Sequence, residues 1–229
     1  ILGLAMGSGT VFSIRFGQKD ERGLQEGIIA SFVLLGIVTI FLNILIFAGI
    51  DWIIWFLRTP DELISLMKEY LMVIFAGLVG IFLYNFFASL LRSLGNSVIP
   101  LAFLAVSAVL NIVLDLWFVA GLDRGVGGAA EATVISQYVS GIGIALYTCI
   151  RFPHLIRPKA GIRLRLSRIK EITSFSALTC MQQSIMNLGI LAVQGLVNSF
   201  GTTIMAAFAA AVKIDAFAYL PVQDFGNAF

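Results

Sequence analysis

One carboxylate stands deep inside an otherwise uncharged run of this sequence: Asp115, within Ile99–Leu122. Burying a carboxylate in a membrane interior costs at least about 2.5–3.5 kcal/mol on insertion scales, so such a residue faces a cavity or a partner. Asn111 precedes it by four residues, which places both on one helix face. Their oxygens could converge on one small cation. Na⁺ would need several oxygen ligands; a proton would need only Asp115. The competing reading is a hydrogen bond between Asp115 and Asn111 that fixes helix packing. Depth brings in a third residue. Asp115 lies six residues before Gly121, and Thr133 eight residues after Gly125. At the helical rise these are about 9 Å and about 12 Å from the ends of a short hairpin, so the levels nearly match. Gln137, one turn beyond Thr133, could join them or make a plain interhelical hydrogen bond.

Further polar groups sit in apolar surroundings. Lys213 and Asp215 are two residues apart and point to different helix faces, each toward a cavity or another helix. Gln183, Asn187, Gln194 and Asn198 form one helical stripe, which should face protein or water rather than lipid. Lys213, Asp215, Gln183 and Asn187 are therefore candidate substrate contacts. Phe75, Phe82 and Phe86 could line a cavity for flat organic cations or serve packing and lipid contact. The glycine pairs Gly77/Gly80 and Gly141/Gly143 permit close helix approach.

The elements that must position these residues are membrane spans. Of 229 residues, 59% are hydrophobic and 12% charged. A soluble domain is about 25% charged, and a chain of this size could not hide so much apolar surface in water. Five stretches are long enough to cross a bilayer as helices: Ile28–Ile50, Tyr70–Leu91, Ile99–Leu122, Gly125–Ile150 and Ile172–Gly201. Thr202–Phe229 reads as a sixth span cut short, and Ile1–Ile14 as the end of another. The chain starts without Met and both ends fall in apolar runs, which reads as an internal piece of a longer membrane protein. The fold class is all-α, a polytopic helical membrane protein in a cell (plasma) membrane.

Charge fixes the orientation. Arg15, Lys19 and Arg22 fill one loop, Arg92 a second, and Arg151, Arg157, Lys159, Arg163, Arg165, Arg168 and Lys170 a third. If every segment crosses once, all three loops share a side, expected to be cytoplasmic. The Arg151–Lys170 loop is the longest and divides the spans into two groups. Its end, Leu164–Ile172, could begin an amphipathic surface helix.

Several classes are excluded. A net charge of +2 implies no nucleic-acid partner. Cys149 and Cys180 make no disulfide framework and read as small packing residues. There is no HExxH, no GxSxG and no GxxxxGK[ST], and the one histidine, His154, lies in a loop. An enzyme is not expected. No cofactor beyond a coupling ion and no obligatory protein partner is apparent; the expected partners are small organic molecules and the lipid bilayer.

The stretch Leu91-Arg92-Ser93-Leu94-Gly95-Asn96-Ser97-Val98-Ile99-Pro100, then Asn111-Ile112-Val113-Leu114-Asp115, then Gly125-Val126-Gly127-Gly128-Ala129-Ala130-Glu131 to Gln137, resembles the multidrug and toxic compound extrusion (MATE) family. Arg15-Phe16-Gly17-Gln18-Lys19-Asp20 resembles the loop after that family's second helix, and Ala211–Asp215 with Leu220-Pro221 its eighth helix. The resemblance implies part of a two-lobe, twelve-helix transporter, from late helix 2 to helix 8. Residues 1–150 would be an incomplete N-terminal lobe (helices 2–6), 151–171 the cytoplasmic inter-lobe loop and 172–229 the start of the C-terminal lobe (helices 7–8). It further implies that Asn111, Asp115 and Thr133 hold the coupling cation, with Na⁺ as their metal if coupling is to Na⁺. The family's site also uses an Asp of the first helix, which lies outside this chain. The implied activity is antiport: export of organic, often cationic, compounds against inward Na⁺ or H⁺. A lipid-linked saccharide flippase of the same broader superfamily is the alternative; it would favour a basic cavity, and only Lys213 is basic within a span.

Overall fold

The structure is a computed structural model that describes residues 1–56, 64–156, 166–198, 207–208 and 210–212. The described residues form, in order, the helices α1 (Leu2–Gly17), α2 (Glu21–Phe56), α3 (Ile64–Ala76), α4 (Leu78–Ser93), α5 (Val98–Asp115), α6 (Gly125–Arg151), α7 (Pro153–Ile156) and α8 (Leu166–Asn198). A π-helical turn, Leu116–Gly121, continues α5. Among the described residues there is no strand. In a bilayer, each span must satisfy its own backbone, which selects helices.

Among the described residues, four helical stretches are long and apolar enough to cross a membrane: Glu21–Ile54, Ile64–Ser93, Val98–Gly121 and Gly125–Arg151. These match four of the expected spans. The fifth, Ile172–Gly201, falls largely within α8, which is long enough but is not among them. Its glutamines, asparagines and serines dilute the apolar content. The expected surface helix over Leu164–Ile172 also differs: from Leu166 the chain is already the first turns of α8, with Ile172 fully buried. On α2 and α5, large apolar side chains such as Ile37, Phe41, Val109 and Ile112 are exposed, as befits surfaces facing lipid tails.

Residues 1–180 form one compact unit and residues 181–229 a second. In the first, α6 packs against α3, α4 and α5, and α1 packs against α2 and α4. Phe12, Phe86, Leu90, Leu91 and Ile144 are fully buried in its core. Phe86 meets Phe12, Phe32 and Phe87 edge-on, with ring centroids 5.2–6.1 Å apart. Phe82 and Phe86 are thus core residues. Small residues set the closest approaches. A Cβ on Gly9 would lie 2.3 Å from Ser89 Oγ, which donates to the Ala5 carbonyl at 2.7 Å.

Turn chemistry fixes the helix ends. Asp20 caps α2 by accepting from the Gly23 N–H at 2.9 Å. α4 ends in a Schellman turn: the Asn96 N–H reaches the Leu91 carbonyl and the Gly95 N–H reaches that of Arg92, each at 2.9 Å. Gly95 has φ +82°, a conformation that favours glycine. Asn96 Oδ1 then accepts from the Ile99 N–H at 3.2 Å to start α5. The motif Leu94-Gly95-Asn96 is thereby a stop followed by a start.

The span Ile64–Ser93 is broken at Gly77, where α3 ends and α4 begins. The carbonyls of Phe75 and Ala76 take side-chain donors from neighbouring helices, Asn43 Nδ2 at 2.9 Å and Tyr138 Oη at 2.8 Å. Such donors are what a break at membrane depth requires.

Candidate functional site

The site lies on the α5–α6 hairpin. Asn111 Nδ2 donates to Thr133 Oγ1 at 3.3 Å, and Thr133 Oγ1 donates to the Ala129 carbonyl at 3.0 Å. A hydroxyl has one proton and two lone pairs, so Thr133 keeps one lone pair for a further ligand. The Asn111 side chain has its carbonyl oxygen as an acceptor, while one of its two amide protons goes to Thr133. One turn lower, Ser107 Oγ donates to the Ser136 carbonyl at 3.0 Å and holds the two helices in register.

Asp115 is half-buried, one turn from Asn111 on α5. Its Oδ1 is buried and has no hydrogen-bond partner. The packing alternative drew its donor from Asn111, yet the Asn111 amide is turned to Thr133 across the hairpin. The structure therefore brings Asn111 and Thr133 into contact and leaves Asp115 beside them with an unfilled acceptor. A buried acceptor without a donor carries a desolvation penalty of about 1–3 kcal/mol, more when charged. A bound cation or proton removes that penalty. Amide, hydroxyl and carboxylate oxygens are the donor set of a hard cation. Among the described residues there is no cluster of three or more His, Cys, Asp or Glu side chains.

The π-helical turn Leu116–Gly121 begins directly after Asp115. Widened turns of this kind recur at functional sites. It ends in the Leu122 N–H to Trp117 carbonyl bond at 2.9 Å, an i to i+5 closure.

Gln137 does not join the pair. Its Oε1 is buried without a partner and faces Gly77 at the α3–α4 break, 2.9 Å from where a Cβ would stand. Glu131 pairs with Arg124 near the start of α6. Lys213 and Asp215 lie outside the described residues. Gln183 is half-buried and Asn187 exposed on α8, in the second unit; the side chains of Gln194 and Asn198 lie outside the description.

Sequence reasoning missed a group at the end of the bundle that carries the basic loops. Glu26, with its side chain only 4% exposed, sits 3.4 Å from Arg168, and Glu171 sits 2.6 Å from Arg15. Gln25 Nε2 donates to the His154 carbonyl at the same end. The available signal was Glu26 itself, an acid two residues before the first uncharged span. Burial alone would raise the Glu171 carboxyl; hydrogen bonds from Arg168 and Arg15 outweigh it and hold the group below the usual carboxylate range. Arg168 is pushed up in turn, first by its bond to Glu171.

Comparison with known proteins follows the same lines. The MatE family model matches residues 1–117. The chain is 31% identical over its whole length to "Probable multidrug resistance protein YpnP" of Bacillus subtilis (strain 168), of which it covers 51%. It is 27% identical over 72% of its length to "Probable multidrug resistance protein NorM" of Thermotoga maritima, covering 36% of that protein. The chain thus spans about half the length, or less, of these curated relatives. Among solved structures, the "Outward-facing conformation of a multidrug resistance MATE family transporter of the MOP superfamily" superposes with a TM-score of 0.85 at 24% identity, over 99% of this chain and 51% of that one. The inward-facing conformation of such a transporter gives 0.82 at 24% identity, over 96% of this chain and 51% of that one. At that identity the likeness carries the fold. With its spanning helices, its motif residues and this family match, the chain belongs to the MatE family of multidrug and toxic compound extrusion transporters, which are multi-pass membrane proteins.

Proposed function

We propose that the protein containing these helices is a secondary antiporter that exports organic, often cationic, drugs or toxic compounds in exchange for Na⁺ or H⁺. Its relatives carry names of multidrug resistance and export proteins, which supports drug efflux. The observation that carries the coupling is the buried, partnerless Oδ1 of Asp115 beside the Asn111–Thr133 bond.

In this reading Asp115 takes the coupling cation. Asn111 and Thr133 add neutral oxygens if the cation is Na⁺, and Asp115 acts alone if it is a proton. Binding removes the penalty of the buried charge and so favours whichever lobe arrangement closes around the site. Release to the low-concentration side restores the empty carboxylate, and the lobes return by alternating access. Lys213, Asp215, Gln183 and Asn187 are the proposed substrate contacts, on the elements that follow the inter-lobe loop.

The test uses the full-length protein in proteoliposomes. Asp115→Asn keeps the side-chain size and removes both charge and titration. It should insert normally, because a neutral side chain is less costly to bury. Gradient-driven export of an organic cation should fall to background. Export at the parental rate at low Na⁺ across neutral pH would make Asp115 structural and sink the coupling assignment.

A further inference from the structure

The contact between α1 and α8 forms a ladder with a four-residue step on α1 and on the upper rungs of α8. Gly3, Gly7, Val11 and Arg15 on α1 meet Cys180, Ser176, Ile172 and Glu171 on α8, running antiparallel. The upper rungs are small. A Cβ on Gly7 would stand 2.4 Å from the Ser176 Cα, and one on Gly3 2.9 Å from the Cys180 Cα. Ile172 packs with Val11 and with Ala30 of α2. The lowest rung is ionic, Arg15 Nη2 to Glu171 Oε1 at 2.6 Å, and beside it Arg168 Nε of α8 reaches Glu26 Oε2 of α2 at 3.4 Å.

Two features separate this seam from the other helix contacts of the same unit. The first is what crosses it. Elsewhere, side-chain hydroxyls bond firmly to the opposing backbone: Ser89 to Ala5 at 2.7 Å, Tyr84 to Pro100 at 3.0 Å, Ser107 to Ser136 at 3.0 Å. Between α1 and α8 the bond of this kind is long, Ser176 Oγ to the Leu4 carbonyl at 3.3 Å. The second is where the charges go if the helices part. Arg15 has Asp20 at 3.6 Å on its own side, Glu26 has Arg22 at 3.6 Å one turn earlier on α2, and Arg168 has Glu171 at 2.9 Å on α8. Each cross-seam charge therefore keeps an opposite charge on its own side. Parting strands no buried ion, and the arginine and glutamate of the Arg15–Glu171 pair, 20% and 26% exposed, are already at the edge of water.

We infer that the α1–α8 seam is a gate at the basic-loop end of the transporter, with Arg15–Glu171 and Arg168–Glu26 as an exchangeable ionic latch. The inference rests on the transporter reading above. Ion pairs with alternate partners suit a seam that must open repeatedly, since each is replaced on opening; Arg15–Glu171, partly solvated, contributes little by itself. The glycine rungs let the helices close without interlocking side chains.

The test reads the seam directly in the full-length protein in lipid nanodiscs. Cys149 and Cys180 are replaced by Ser, and spin labels are placed at the exposed Ser13 and Ser167. Double electron–electron resonance then reports closed and open populations. Arg15→Glu sets two carboxylates face to face and should lower the ratio of closed to open by roughly two- to fivefold. Adding Glu171→Lys should bring the closed population back. Should Arg15→Glu insert poorly, Arg15→Gln removes the pair without repulsion and should move the ratio the same way by less. An unchanged distance distribution overturns the latch, and so does a shift that Glu171→Lys fails to reverse. Export is measured on the same parent and variants. A parent that exports with an unresponsive seam refutes the latch alone; a responsive seam without export refutes the transporter reading and leaves the latch standing.

Discussion

At the α5–α6 hairpin, Asn111 and Thr133 bond each other while the neighbouring carboxylate keeps a buried oxygen with no donor. At the α1–α8 seam, both carboxylates have two cations each: Glu171 has Arg15 and Arg168, and Glu26 has Arg168 and Arg22. Both regions join helices through polar groups in a largely apolar bundle. One leaves a charge unsatisfied, which makes it a place for something that arrives and leaves. The other over-satisfies its charges, which makes it a contact that can exchange partners. In the functions proposed for them, the difference separates binding from gating within one unit of 180 residues.

The largest expected effect that could break this contrast is functional. Asp115→Asn should abolish gradient-driven export and cation binding, followed by isothermal titration, and leave Ser13–Ser167 distances that no longer respond to added cation. Glu171→Gln should instead shift the distances and keep cation binding, its affinity changed only as far as the closed population changes. If either variant moves both readouts equally, the two regions are not separable.

Next in size is Gly7→Leu. Its side chain would push into the α8 backbone at Ser176, where even a Cβ stands 2.4 Å from Cα. Overpacking of this kind costs about 1–3 kcal/mol. Thermal unfolding of the purified protein, read by tryptophan fluorescence, should shift clearly downward, and the spin-label distances should lengthen.

Acid tests the latch without mutation. The Glu171 carboxyl is depressed, so its contribution to closure is fully present above the ordinary carboxylate value of 4.5 and is lost as pH falls through the lower value in the closed seam. The groups facing it are Arg15 from α1 and Arg168 from α8, and neither guanidinium releases its proton in this range. The closed population should hold from neutral pH to about the ordinary carboxylate value and drop only below it. A drop near neutral pH would assign the opening to another group.

The smallest effect concerns Thr133→Ala. It removes one neutral oxygen and the bond to Asn111. Interhelical hydrogen bonds in membranes average about 0.6 kcal/mol, so cation affinity should weaken by a factor of about three. A loss as large as that of Asp115→Asn would make Thr133 a principal ligand.

The spans and their order were readable because length and hydropathy are local properties. So was Asp115, since one acid in an uncharged run of helix length is conspicuous without any fold. The Asn111–Thr133 contact was half readable: helical rise put the two at similar depth, and only packing could turn Asn111 toward Thr133 rather than toward Asp115. The latch was hidden for a different reason. Arg15, Arg22 and Arg168 belong to the loop charges that set orientation, and a topological role needs no partner. Their pairing depends on contacts 142 and 156 residues apart in sequence. The polar stripe of α8 was legible as a pattern, but its Gln194 and Asn198 side chains, like Lys213 and Asp215, lie outside the described residues.

What the sequence by itself determined is therefore the solvent of this protein, its helical spans and the cost of Asp115. All of these follow from composition and from neighbours within a turn or two. What only the tertiary structure decided is which polar groups meet. The four-residue steps on α1 and α8 become a seam only when glycine on one helix lets the backbone of the other approach. Asp115 becomes a candidate site because its Oδ1 is buried without a partner while Asn111 donates across the hairpin to Thr133. Hydrophobicity acts on each segment alone, whereas a hydrogen bond or an ion pair needs two partners at a fixed distance, and packing sets that distance.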